Sequence, residues 1–304
     1  MDSAKSLKRF VPRQVRPYLG SARRWVRSFP MRTSAQKKRL LADPALTESD
    51  RKLLAQVSSR IYHNDGMYYG DGAQYFRVGL SAMHCIDAAV ERAGLPAVNN
   101  ILDLPCGGGR VLRFLRMRFP EAKLTACDLQ RDMVDFCSRE FKADGVYSKE
   151  SFAEVSFDEA FDLIWSGSLT THLDQRGIQA LLDLFARSLA ANGVALITTH
   201  GERAIQKLTN HELDYGITDR QTEKIVAAYR ATGYGFTNYP EVTAYQVSQA
   251  AQYGVSLTSP EWMRAQFARA RLREIFFNLH GWNDHQDVYG LVKLVGAHRR
   301  EAGQ

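Results

Sequence analysis

Hydrophobic positions along the chain follow two rhythms. From residue 100 onward, apolar runs of strand length recur at Ile101–Leu104, Leu124–Cys127, Gly145–Tyr147, Phe161–Trp165 and Gly193–Thr198. Between them apolar residues return at helical spacing, in Val111–Phe119, in Asp132–Phe141, and from Ile178 to Leu189. In the last of these, Ile178, Leu181, Leu182, Phe185 and Leu189 share one face. This alternation predicts a doubly wound, mainly parallel α/β sheet with helices on both sides, because parallel neighbours need a crossover connection. Upstream, Phe76, Leu80, Met83, Ile86 and Val90 predict a helix over Tyr75–Gly94, stopped by Gly94 and Pro96. A helical stretch near Glu48–Arg60 and a turn-rich polar segment from His63 to Gly72 come before it.

The rhythm breaks between residues 202 and 258. A polar helix is predicted at Arg220–Thr232, followed by an irregular segment containing Tyr234, Tyr239, Tyr245 and Tyr253. We read the whole as a helical and irregular insertion that covers a site. The pattern then returns with a helix from Pro260 to about Arg271 and two strands, Glu274–Leu279 and Val288–Val295. A turn joins these strands, so a C-terminal antiparallel hairpin is expected.

Charge changes the picture at one end. Of 40 Lys and Arg residues, twelve fall in residues 1–40, opposed there by Asp2 alone; the remaining chain holds 28 bases and 32 acids. The body is therefore mildly acidic, which disfavours nucleic acid as its partner. The arm interleaves its bases with Phe10, Tyr18, Trp25 and Phe29. Such a segment suits peripheral contact with an anionic membrane, and equally a solvated tail or a lead-in packed on the body. No apolar run approaches the roughly 20 residues of a spanning helix, and bases interrupt any signal-like stretch. The expected location is the cytoplasm, with the inner membrane face open to the arm. Cys85, Cys106, Cys127 and Cys137 form no CxxC pair and are expected to be reduced and structural.

The informative string runs from Ile101 to Arg113: a buried strand ending at Asp103, then Leu104-Pro-Cys-Gly-Gly-Gly109, then a helix. Glycines there let backbone approach a ligand, and the helix offers free N–H groups beside it. Nineteen residues past Gly109, Asp128 follows the second strand, where a carboxylate can accept from both hydroxyls of a ribose. A dinucleotide fingerprint would need a third glycine where Leu112 stands, and no Gly-Lys-Ser/Thr of a phosphate loop follows.

Asp103-Leu-Pro-Cys-Gly-Gly-Gly109 resembles the first motif of class I S-adenosylmethionine-dependent methyltransferases, with Pro105 in place of its first glycine, as in bacterial members reading Asp-Leu-Pro-Cys-Gly-x-Gly-Arg. Phe161–Ser168 resembles that family's fourth-strand motif and Asn192–Ile197 the approach to its fifth strand. The resemblance covers about residues 75–200, with the hairpin resembling the family's last two strands. It implies a Rossmann-like methyltransferase domain over 41–304 behind the basic arm 1–40, and S-adenosylmethionine as cofactor. It implies a cofactor site from Asp103, Pro105, Gly107, Gly109, Asp128, Leu129, Ser166 and Gly167. Tyr75 is expected to close the methionine end. Where the family often places an acid for the adenine amino group, this chain has Tyr147-Ser-Lys-Glu150, and Ser148 is the candidate.

Methyl transfer to a hydroxyl needs a base, and ligands in open α/β sheets lie beyond the carboxyl ends of the strands. That rule singles out His172, past the fourth strand, and His200, past the fifth, as catalytic candidates. The polar string Gly281–Asp287 fills the expected hairpin turn, and His285 and Asp287 could reach the site. No metal-ligand spacing occurs, so no metal is expected. The expected acceptor is a small molecule, a sugar or a glycan-linked lipid. A nucleic-acid or N-methyltransferase, and a non-catalytic cofactor-binding scaffold, remain as alternatives; against the first stands Ser166-Gly-Ser-Leu169, where Asn/Asp-Pro-Pro-Tyr/Phe would be expected.

Overall fold

The computed structural model describes residues 30–239 and 253–294. Most of the basic arm and Tyr245 lie outside the described residues. The end of the expected arm is a helix, α1 (Pro30–Leu41), docked on the body. Leu40 and Thr33 are buried, and Gln36 accepts the backbone N–H of Gly72 at 2.7 Å. α2 (Glu48–Gln56) starts at a reciprocal cap between Thr47 and Asp50. The helix α3 (Gly72–Ala93) buries one apolar face and stops at Gly94 in the left-handed conformation, φ 65°.

The expected parallel sheet forms from β1 (Asn100–Asp103), β2 (Lys123–Asp128), β3 (Asp144–Tyr147), β4 (Phe161–Ser166) and β5 (Leu189–Thr199). α4 (Leu112–Arg118), α5 (Arg131–Phe141) and α6 (Gln175–Ser188) cross between them. A C-terminal hairpin, β8 (Leu272–Trp282) and β9 (Gln286–Lys293), completes the order β3-β2-β1-β4-β5-β9-β8, with β9 antiparallel to β5. Because β1 lies between β2 and β4, the chain reverses its direction of winding beside β1. That is the crevice in which doubly wound sheets take ligands. Successive residues of β4 and β5 alternate between two cores. Leu163, Trp165 and Leu196 pack under α3 and α4, and Ile164, Ala195 and Ile197 under α6 and α9 (Pro260–Arg269).

Two expectations need correction. The 202–258 segment is more regular than expected: α7 (Glu202–Thr209) and α8 (Asp219–Thr232) are followed by a two-stranded ribbon, β6 (Tyr234–Asn238) against β7 (Gly254–Thr258). Ala204, Ile205, Leu208, Ile225, Tyr229, Val255 and Leu257 give this cap its own small core. The ribbon escapes a sequence reading because its strands pair across a long connection and Gly235 interrupts their pattern. That glycine is needed where the Ile225 carbonyl presses against the strand. The hairpin strands also run further than expected, so Gln286 and Asp287 are buried strand residues rather than turn. Among the described residues, no helix is long and apolar enough to cross a membrane.

Candidate active site

The glycine loop sits at the predicted crevice. Gly107 and Gly109 adopt positive φ (47° and 72°), which glycine takes at little cost. They serve different ends. A Cβ on Gly109 would overlap the Phe141 ring, so that glycine lets α5 close on the loop. A Cβ on Gly107 would meet nothing within 4 Å: this side is an open cradle. The Gly107 N–H donates to Asp128 Oδ2 at 2.9 Å, and Gln130 N–H donates to Oδ1 at 3.0 Å. These bonds fix the carboxylate beside the cradle and leave further lone pairs for ligand hydroxyls. Burial pushes the Asp128 carboxyl up from its ordinary value, opposed by those backbone donors. Ser148 N–H donates to the Asp128 carbonyl at 2.8 Å, while its hydroxyl turns to the Lys149 carbonyl. Leu129, 44% exposed, offers an apolar edge next door.

Asp103 ends β1, 2% exposed. The backbone of Leu112 bonds its carboxylate, yet Oδ1 has no partner among the described residues. Burial, with Asp128 nearby, raises its carboxyl well above the usual range. An open cradle between two strand-end carboxylates, one with an unsatisfied oxygen, fits a nucleoside whose tail carries a positive charge. Pro105 follows a cis peptide, and Cys106 ties the loop back to β2 through the Cys127 carbonyl.

A strap from Ser58 to Asp71 covers the loop. Its Asp65 carboxylate occupies the space beside Gly108 and accepts the Tyr75 hydroxyl at 2.6 Å. Tyr75 is thus a buried support of the loop, its hydroxyl committed within the protein. Arg113 binds strap and loop together, donating to the carbonyls of Ser58, Arg60, Gly108 and Gly109. Neither Asp65 nor Arg113 stands out in the sequence; a buried arginine is visible only when its acceptors are.

Past β4, Ser166 is fully buried, its hydroxyl unpartnered among the described residues, and Gly167 lies where a Cβ would strike the Trp282 indole. Ser168 N–H donates to Thr198 Oγ1, which itself donates to Gln286, so the exits of β4, β5 and β9 are tied together. Beyond them the structure gathers three histidines and three tyrosines. His172 is half-buried and stacks on Tyr253, with ring centroids 4.9 Å apart, and its Nδ1 lies 3.0 Å from the Gly254 carbonyl and 2.9 Å from the Tyr239 hydroxyl. His200 is buried against Tyr215 and His285, with centroids at 4.6 and 5.4 Å, and its Nδ1 has no partner among the described residues. His285 Nε2 meets the Tyr215 hydroxyl at 2.9 Å. Burial lowers the pKa of all three: His200 falls well below its ordinary value, helped by its histidine neighbours, and His285 falls to about 4, helped by Lys207 and Arg203. The cap supplies all three tyrosines, a contribution that the sequence signalled only as scattered aromatics.

Two clefts open elsewhere. One of about 820 Å³ lies between α6, β6 and α9, and one of about 430 Å³ between strap residues 60–63 and α5. Neither includes the glycine loop. Among the described residues, no three His, Cys, Asp or Glu side chains are placed to hold a metal ion.

The sequence of the crevice strands decides the domain type: residues 101–193 match the model of a methyltransferase domain. That segment is a methyltransferase domain. A malonyl-[acyl-carrier protein] O-methyltransferase of Acetivibrio thermocellus is 26% identical over 110 residues, which is 36% of this chain and 38% of that protein. The chain thus matches well under half the length of that curated relative. An S-adenosylmethionine-dependent methyltransferase structure from Clostridium acetobutylicum is similar with a TM-score of 0.49 at 16% identity, covering 72% of this chain and 92% of that one. An O-methyltransferase family protein from Burkholderia thailandensis is similar with a TM-score of 0.49 at 13% identity, covering 76% and 61%. The matched segment holds the glycine loop, Asp128, Gly167 and His172, and it ends before His200, the cap and the hairpin.

Proposed function

We propose that this chain is an S-adenosylmethionine-dependent methyltransferase acting on a hydroxyl of a small molecule, a sugar or a glycan-linked lipid. The observation that carries this reading is the hydrogen bond from Gly107 N–H to Asp128 at 2.9 Å, which holds a carboxylate on the rim of an open glycine cradle. When bound, S-adenosylmethionine supplies a methyl group activated by a sulfonium. Asp128 would hold the ribose and Asp103 Oδ1 the ammonium of the tail, while Leu129 and Ser148 border the adenine side. Fixing one reactant in the crevice converts an encounter into an oriented displacement, an effect that can reach about 7–11 kcal/mol.

The base is supported by the chemistry of His172. The Gly254 carbonyl can only accept, so it holds the proton on Nδ1 and leaves Nε2 with a lone pair. Burial keeps the ring neutral near pH 7. His200, also held neutral, is the second candidate. The basic residues of 1–40 support a lipid-linked acceptor, since they could bring the enzyme to an anionic surface.

The test is transfer of labelled methyl from S-adenosylmethionine to a panel of hydroxylated small molecules, sugars and glycolipids, with amines as controls. Labelled methyl ethers are expected. Transfer to amines alone would overturn the hydroxyl assignment.

A further inference from the structure

Arg110, the first residue after the three glycines, has no task in the fold comparable with that of its neighbour Arg113. The Arg113 guanidinium is satisfied by backbone carbonyls on two sides. Arg110 is half-buried, and its guanidinium makes no hydrogen bond or ion pair among the described residues. It rests between two rings, with its central carbon 5.3 Å from the Trp282 ring centroid and 6.0 Å from that of Tyr75. Two carboxylates, Asp65 and Asp103, attract it without closing on it. Asp65 is already committed, accepting from Met67 N–H and the Tyr75 hydroxyl. Asp103 keeps a buried, unpartnered Oδ1.

A guanidinium withdrawn from water without an anion is costly, and one confined between aromatic walls is already oriented. Its planar fork matches a carboxylate with two parallel N–H bonds. Near it, the unpartnered carboxylate oxygen of Asp103 calls for a cationic donor. One ligand chemistry satisfies both: an α-amino acid, which carries an anion and a cation on adjacent atoms.

We propose that Arg110 anchors the α-carboxylate of the amino-acid end of S-adenosylmethionine, with Trp282 of the C-terminal hairpin holding the guanidinium in place. This rests on the nucleoside-site reading above and assigns a residue that reading leaves unused. Arg110 is thereby a cofactor-binding residue that selects the complete amino-acid tail over truncated nucleosides.

The experiment compares three ligands by titration calorimetry on the full chain: S-adenosylmethionine, its decarboxylated form, and 5′-methylthioadenosine, which lacks the whole amino-acid end. In the unaltered protein, S-adenosylmethionine binds about 10–100-fold tighter than the decarboxylated form, the range for a charge-assisted pair of bonds. Arg110→Met loses that margin for S-adenosylmethionine and binds the decarboxylated form and methylthioadenosine as the unaltered protein does. Those retained affinities also show an intact loop. Arg110→Lys recovers part of the margin. Unchanged discrimination in Arg110→Met, or equal loss of all three ligands in both variants, overturns the proposal and leaves the nucleoside site standing. Failure of the unaltered protein to bind any of the three removes the nucleoside site and this proposal with it.

Discussion

At the scale of single residues, the two positive-φ glycines divide the labour of the loop, and substitution separates them. Gly109→Ala forces a methyl group into the Phe141 ring, a collision of the overpacking kind that costs about 1–3 kcal/mol, readable as a lowered urea midpoint. Gly107→Val points into the open cradle and also strains a backbone held at φ 47°, so we expect it to lose cofactor affinity as well as stability. Retained S-adenosylhomocysteine affinity in Gly107→Val would mean that the cofactor does not lie in this cradle. Asp128→Asn keeps the shape but removes the charge, and should weaken S-adenosylhomocysteine binding about 10–100-fold by calorimetry. The loop and Asp128 were legible in the sequence because their spacing is fixed by the strand–helix–strand unit that carries them. Asp65 and Trp282 were not, and Arg110 was legible only as the last residue of the motif, without its setting. Their roles depend on contacts made across long sequence separations, and Trp282 comes from the far end of the chain.

At the scale of elements, the cap is a small unit with its own core, grafted between β5 and α9. Ile225, fully buried, holds α8 onto the β6–β7 ribbon. Ile225→Ala should cost about 2–5 kcal/mol locally. It should raise hydrogen exchange in the ribbon and impair acceptor turnover while S-adenosylhomocysteine affinity holds. A parallel loss of cofactor affinity would place the cap in the wrong half of the site. His172→Ala and His200→Ala should likewise spare cofactor binding, and loss of the true base should slow transfer by about 10²–10⁴-fold. Full activity in both variants would remove histidine from the account. Apolar periodicity showed the parallel strands and their crossover helices because all but the edge strand β3 bury a face of their own. It missed the ribbon, whose pairing partner lies beyond a long connection, and it shortened the hairpin because Gln286 and Asp287 are polar residues buried inside a strand.

At the scale of the whole molecule, buried titratable groups tie stability to pH. His172, His200 and His285 are held neutral by burial, His285 down to about 4. In the unfolded chain they protonate near about 6.5. Between those values the unfolded state binds more protons, so stability falls as pH drops. The raised carboxyls of Asp103 and Asp128 act in the opposite sense, since each is more easily tolerated when protonated. His285→Asn removes one histidine contribution, so its melting temperature should decline less steeply between pH 7 and 5 than that of the unaltered protein. An identical slope would contradict the burial of that ring. The central claim, however, concerns what the crevice between β1, β2 and β4 binds. Calorimetric titration with S-adenosylmethionine and S-adenosylhomocysteine, with NAD as control, tests it most directly. Micromolar binding of the first two and none of NAD is the result expected; binding of NAD, or of none of the three, would contradict it.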